Sequence, residues 1–152
     1  MTETWRDVVG FEGAYEVSDH GHVRSLTRVV AMGHKNRPGS PTVRHTQGAP
    51  IVPWVEILPS GWSMTKCALS IAEASPAKKR TCTIIALVAA SFLGPRPPNY
   101  ITHAIDRDPE NFAPDNLVYV PRSLSLQMRS RYEQTRDNAE RELEKYISGE
   151  LT

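Results

Sequence analysis

Side chains able to do chemistry are few in this 152-residue chain. Of its five histidines, His20, His22, His34 and His45 show no ligand spacing to one another. His103 follows an apolar residue by two positions, and a lone histidine in such a place reads first as a packing residue. It becomes a proton acceptor only if partners elsewhere in the chain support it, since an imidazole near its ordinary pKa of about 6.5 can accept a proton at neutral pH. Four carboxylates come next, Asp106, Asp108, Glu110 and Asp115, in a polar stretch where they read as turn formers and solvated loop charges. Cys67 and Cys82 give neither a disulfide framework nor a paired zinc knuckle, so both are read as ordinary strand residues.

The formal net charge of +1 is a weak guide to partners, because nucleic-acid binders are usually more basic overall. Its distribution says more. Residues 1–132 hold 15 Lys and Arg against 11 Asp and Glu, while residues 133–152 hold 3 against 6, so the body is basic and the tail acidic. With 39% hydrophobic and 23% charged residues the composition excludes disorder and fibres, and 12 prolines with 9 glycines point to many turns. The N-terminal residues have neither the basic start nor the apolar stretch of a signal peptide. The longest apolar run, near Ile84 to Leu93, is too short to span a bilayer. The expectation is a cytoplasmic protein without membrane contact.

The elements that must position these residues follow from periodicity and turn chemistry. Tyr15 and Val17 alternate before a turn at Ser18 to Gly21, with Val23 and Leu26 after it, which predicts a short hairpin; Gly21 supplies the positive φ and Ser18 bonds to the turn backbone. Residues 31–50 have no apolar period and carry Lys35, Arg37, Arg44 and His45, so they read as a basic loop. Strands are expected near 51–58, 60–70 and 81–85, then a short buried helix from Ile84 closing at Gly94, whose alanines and terminal glycine favour core packing. Residues 100–103 and 116–120 read as two strands around a polar loop. A single helix from Ser123 to about Ile147 would carry Tyr132, Ala139, Leu143 and Tyr146 on one side.

Two segments carry a more specific pattern. Trp5, Arg6, Val8, Gly10, Phe11, Glu12, Gly13, Tyr15, Val17, Ser18, Asp19, Gly21, Val23, Arg24 and Ser25 match, within about 20 residues, the N-terminal nuclease-associated modular domain of phage-type HNH homing endonucleases. Leu87 to Phe92, Thr102-His103, Asp115-Asn116-Leu117 with Tyr119, and the helix from Ser123 resemble the remainder of those proteins. The fold class this implies is α+β: a small N-terminal hairpin module, a short antiparallel sheet, a ββα-metal-like hairpin-helix unit and a C-terminal helix. The expected division is a module at 1–30, a basic loop at 31–50, the HNH-like region with its preceding strands and helix at 51–132, and an acidic helix at 133–152.

The resemblance assigns His103 as general base and Asn116 as the residue orienting its ring, with one extra residue between them compared with the usual spacing. In such sites a hard divalent ion holds the scissile phosphate, and oxygen donors suit magnesium-like ions best. Here the metal positions fall on Thr102 and Ser125, with Met128 one turn further. Hydroxyls and a thioether are poor ligands for such an ion, and the carboxylates that surround the site in sequence, Asp106 first and then Asp108, Glu110 and Asp115, are the groups that could hold a displaced one. The cofactor expected is therefore none, or a weakly held Mg or Mn. The resemblance also implies double-stranded DNA as partner, through phosphate contacts by Arg24, Arg28, Lys35, Arg37, Arg44, Lys78, Lys79, Arg80, Arg129 and Arg131. Three functions stay open: a DNA-binding protein weak or inactive as a nuclease, an active Mg- or Mn-dependent endonuclease using His103, and an adaptor that docks a protein or a second copy through its C-terminal helix.

Overall fold

The computed structural model describes residues 2–32, 42–71, 78–108, 110–130 and 132–150. The N-terminal segment forms an antiparallel sheet of β1 (Trp5–Asp7), β2 (Tyr15–Ser18) and β3 (Val23–Ser25), with β2 in the middle. Tyr15, Val17 and Val23 are buried on it, as the two-residue alternation requires. The β2–β3 turn closes as its residues dictate. Ser18 Oγ accepts from the amides of His20 and His22 at 3.3 and 3.0 Å, and Gly21 adopts φ +80°, a conformation costly for any residue with a Cβ.

The stretch expected as a loop is in part a hairpin. β4 (Arg28–Met32) pairs antiparallel with β5 (Thr42–Thr46) in the register Arg28 to Thr46 and Val30 to Arg44. The β-branched Val29, Val30, Thr42, Val43 and Thr46 outweigh the charged and turn-forming residues between them. Lys35 and Arg37 lie outside the described residues.

A second sheet places β7 (Ser63–Ile71) between β6 (Trp54–Ile57) and β8 (Lys78–Thr83), with Cys67 opposite Cys82. Both thiols are free; burial pushes that of Cys67 up to about 12, which suits an inert strand residue. β8 runs directly into α1 (Ile84–Phe92), whose Ile84, Leu87, Val88 and Ala89 are buried; its last turn closes through the Leu93 amide on the Ala89 carbonyl, and Gly94 at φ +96° followed by Pro95 ends it. Then come β9 (Tyr100–Ala104) and β10 (Leu117–Pro121), an antiparallel pair in which His103 faces Val118.

The C-terminal helix is two helices, α2 (Arg122–Met128) and α3 (Glu133–Ile147). The single helix expected here is corrected by packing. Leu124, Met128 and Val120 bury against Ala139 and Leu143. In one straight helix Leu124 and Leu143 would stand about 28 Å apart, so the chain must fold back to bring them together. The break is held by Ser130, whose amide bonds to the Gln127 carbonyl at 3.0 Å and whose Oγ accepts the Tyr132 amide at 3.2 Å. The face of α3 expected to dock a partner is thus spent inside the molecule at Ala139 and Leu143, with Tyr146 packed beside them. Among the described residues no helix is long and apolar enough to cross a membrane.

A larger core joins β1–β3, β7, α1 and β10. Val8, Val17, Cys67, Leu69, Val88 and Leu117 meet there, and a fully buried Leu or Val contributes about 1.5–3 kcal/mol. Two hydrogen bonds tie β1 to α1: Arg6 donates to the Ser91 carbonyl at 3.0 Å, and Ser91 Oγ to the Asp7 carbonyl at 2.9 Å. Phe112, from the β9–β10 loop, lies so close over Gly21 that a Cβ there would stand 2.2 Å from its ring. The N-terminal sheet and the loop beside His103 therefore rest on each other.

Candidate functional site

His103 sits near the end of β9 with 5% of its surface exposed, on the wall of a cavity of about 250 Å³. Its Nε2 is buried and has no hydrogen-bond partner among the described residues. Burial, and then the positive charges of Arg107 and Arg129, lower its pKa to about 4, so the ring is neutral at physiological pH. Three arginines reach this cavity. Arg96 comes from the segment after α1, Arg107 from the β9–β10 loop, and Arg129 from the end of α2. Arg107 holds φ +62°, a left-handed conformation that turns the chain sharply out of β9, and its guanidinium also pairs with Glu140 on α3. The Arg129 guanidinium lies 5.2 Å from the Trp62 ring centre, and its Nε is buried without a partner.

Asn116 does not reach His103. It lies in the short 3-10 turn Pro114–Asn116 before β10, where its Nδ2 donates to Asp106 Oδ1 at 2.8 Å and to the Asn111 carbonyl at 3.0 Å. Its Oδ1 accepts the Asp106 amide at 3.1 Å. Asn116 thus closes the β9–β10 loop that follows His103 and makes no hydrogen bond to the ring itself among the described residues. Asp106 is engaged there too: it accepts from Asn111 Nδ2 at 2.6 Å, Asn116 Nδ2 at 2.8 Å and the Asp108 amide at 2.9 Å. These bonds hold its carboxyl below the usual range, and a carboxylate so committed to turn donors fits a turn former better than an ion ligand.

The metal positions fare no better. Thr102 presents a neutral hydroxyl at the cavity wall, whereas Ser125 is buried on α2 and off that wall, and Met128 is a core residue. Among the described residues no three His, Cys, Asp or Glu side chains stand close enough to hold an ion. A cavity lined, among the described residues, by three arginines and one carboxylate residue, Asp108, does not fit a magnesium-like ion, which needs several anionic or carbonyl oxygens.

Residues 3–52 match the NUMOD4 motif, and residues 86–125 match the HNH endonuclease family. The chain joins a NUMOD4 module to an HNH unit. Its fold is that of a solved HNH homing endonuclease, I-HmuI, from a structure of that enzyme's DNA binding and cleavage; the TM-score is 0.55 at 20% identity, over 90% of this chain and 66% of that one. The chain thus spans just under two thirds of that relative. No curated protein sequence matches it.

Within the segment that matches NUMOD4, Arg24 and Arg28 make internal contacts. Arg24 donates twice to Glu16 Oε2, at 2.8 and 2.6 Å, and lies 3.9 Å from the Trp5 ring centre. Arg28 bonds to the Ala14 carbonyl at 2.8 Å and covers the Tyr15 ring, while its buried Nε has no partner among the described residues. Arg44 on β5 and Lys78, Lys79 and Arg80 on β8 are exposed. Arg131 lies outside the described residues. A second, more open recess of about 680 Å³ shares Met64, Thr83, Ala86, Arg96 and Thr102 with the HNH unit's cavity and runs on to Lys66 and Arg80. Sequence reasoning missed Arg96, Arg107 and Trp62. Arg96 stands in a proline-rich break and Arg107 between two aspartates, contexts that carry no pattern of their own; only the fold brings them to His103.

Proposed function

We propose that this chain is a double-stranded DNA-binding protein built on an HNH endonuclease scaffold, with weak or no cleavage of its own. The observation that carries the reading is the exchange of ligands for cations around His103. Arg96, Arg107 and Arg129 stand where an ion would need oxygen donors. The recess leading from this cavity to Arg80, with exposed Lys78 and Lys79 beside it, gives a basic track for a phosphate backbone. An imidazole with a pKa near 4 is free to accept a proton at neutral pH but is a weak general base, since proton transfer is most efficient when the pKa lies near the working pH. A cytoplasmic location, where DNA is within reach, accompanies this reading.

Binding of a duplex should weaken steeply with salt, as counterion release demands. Incubation of plasmid DNA with Mg and with Mn, using His103→Ala as control, tests the other half. Metal-dependent cleavage that disappears in that variant would establish the second reading, an active endonuclease with His103 as base. The burial and neutrality of His103 on the cavity wall are what favour that alternative.

A further inference from the structure

Several polar groups around His103 have unused hydrogen-bonding capacity. His103 Nε2 and Arg129 Nε are both buried and unpartnered, and unsatisfied buried polar atoms are costly and rare in folded proteins. The stacking of Arg129 on Trp62 fixes one guanidinium in advance, and Glu140 restrains Arg107 while occupying only part of its five-donor fork. Arg96 is exposed at the mouth of the cavity and has no hydrogen-bond or ion-pair partner among the described residues. The space between them, about 250 Å³, is far more than one water fills, and among the described residues Asp108 is the one carboxylate that lines it. Such a lining repels a cation and is complementary to an anion with several acceptor oxygens.

We propose that the cavity beside His103 is a metal-independent phosphate site, in which Arg96, Arg107 and Arg129, with the His103 ring beside them, hold one phosphate group of a DNA backbone. It rests on the DNA-binding reading for the source of the phosphate and on the cavity alone for the chemistry. The guanidinium groups take over the charge neutralisation that an ion supplies in a metal-dependent nuclease. No bond is made or broken, and the phosphate is held rather than transferred.

The test titrates inorganic phosphate into the full chain in the presence of a chelator, at constant ionic strength, and follows the histidine rings by NMR, with His103→Gln identifying the His103 signal. The expected result is a saturable shift of His103 with the chelator present, unaltered when Mg replaces the chelator, with affinity reduced about tenfold or more in Arg129→Gln. Since Arg129→Gln also removes a packing partner of Trp62, the exposed Arg96→Gln serves as the second variant and should lose affinity with the fold intact. Absence of a saturable shift, a shift that requires Mg, or unchanged affinity in both variants overturns the site. Duplex binding measured on the same proteins separates the two readings. Duplex affinity without a phosphate shift overturns the cavity and leaves the DNA-binding reading standing, whereas a phosphate shift without duplex affinity sustains the cavity and overturns DNA as its source.

Discussion

The arginines of the NUMOD4 module and those around His103 are the same residue in opposite circumstances. In the module, Arg6, Arg24 and Arg28 are tied to a carbonyl or carboxylate and lie over Phe92, Trp5 and Tyr15 in turn, so their charge is used to build the fold. Around His103, Arg96 has no such anchor among the described residues, and Arg129, whose buried Nε like that of Arg28 has no partner among them, lines the same cavity. A count of basic residues cannot see this difference. What makes an arginine available for phosphate is the lack of an internal acceptor, and that is a property of the fold.

The two regions meet at Gly21 and Phe112, and the sharpest way to break the comparison is there. Gly21→Ala adds a Cβ at φ +80° and 2.2 Å from the Phe112 ring, which should cost about 3 kcal/mol in urea unfolding. Phe112→Ala in the same chain should recover the steric part and leave the backbone strain. Full additivity of the two substitutions would show that the regions do not lean on each other.

The next effect in size comes from His103. Its pKa is lower in the folded chain than in the unfolded one, so between about 6.5 and about 4 the unfolded state binds a proton that the folded state refuses. Stability should fall as the pH drops through that window, by roughly 3 kcal/mol in total, and His103→Gln should flatten that part of the profile. Unfolding followed across pH in a phosphate-free buffer checks this, and an unchanged slope in the variant would remove the burial argument.

Smaller effects should sort the arginines themselves. Arg24→Ala loses a half-exposed ion pair and a stacked ring, about 1 kcal/mol of stability, with duplex affinity unchanged. Exposed Arg80→Ala and Arg44→Ala should move stability by less than about 0.5 kcal/mol while lowering the salt slope of duplex binding by about one each. Paired melting and salt-titration series decide both, and a reversal between Arg24 and Arg80 would invert the contrast between the two regions.

The N-terminal sheet was legible because its signals are local. Tyr15 and Val17 alternate, and Ser18 and Gly21 carry the turn chemistry within four residues. The β9–β10 pair and α1 were legible for the same reason. The β4–β5 hairpin was not, because Gly, Pro and Lys between the strands masked the β-branched residues that pair across them. Helix periodicity ran α2 and α3 together, since it registers apolar spacing and not the reversal that brings Leu124 to Leu143. At the site, His103 and Thr102 line one cavity, whereas the bonds of Asn116 to Asp106 and Asn111 are a matter of loop geometry that a linear pattern does not show.

The sequence by itself determined the kind of protein: residue spacings in the first 25 positions and around His103 specify two modules, because turns and strands are set by neighbours a few residues apart. Only the tertiary structure decided what surrounds His103. Arg96, Arg107 and Arg129 come from three separate segments, and whether their charge is spent or free depends on acceptors that folding alone brings near them.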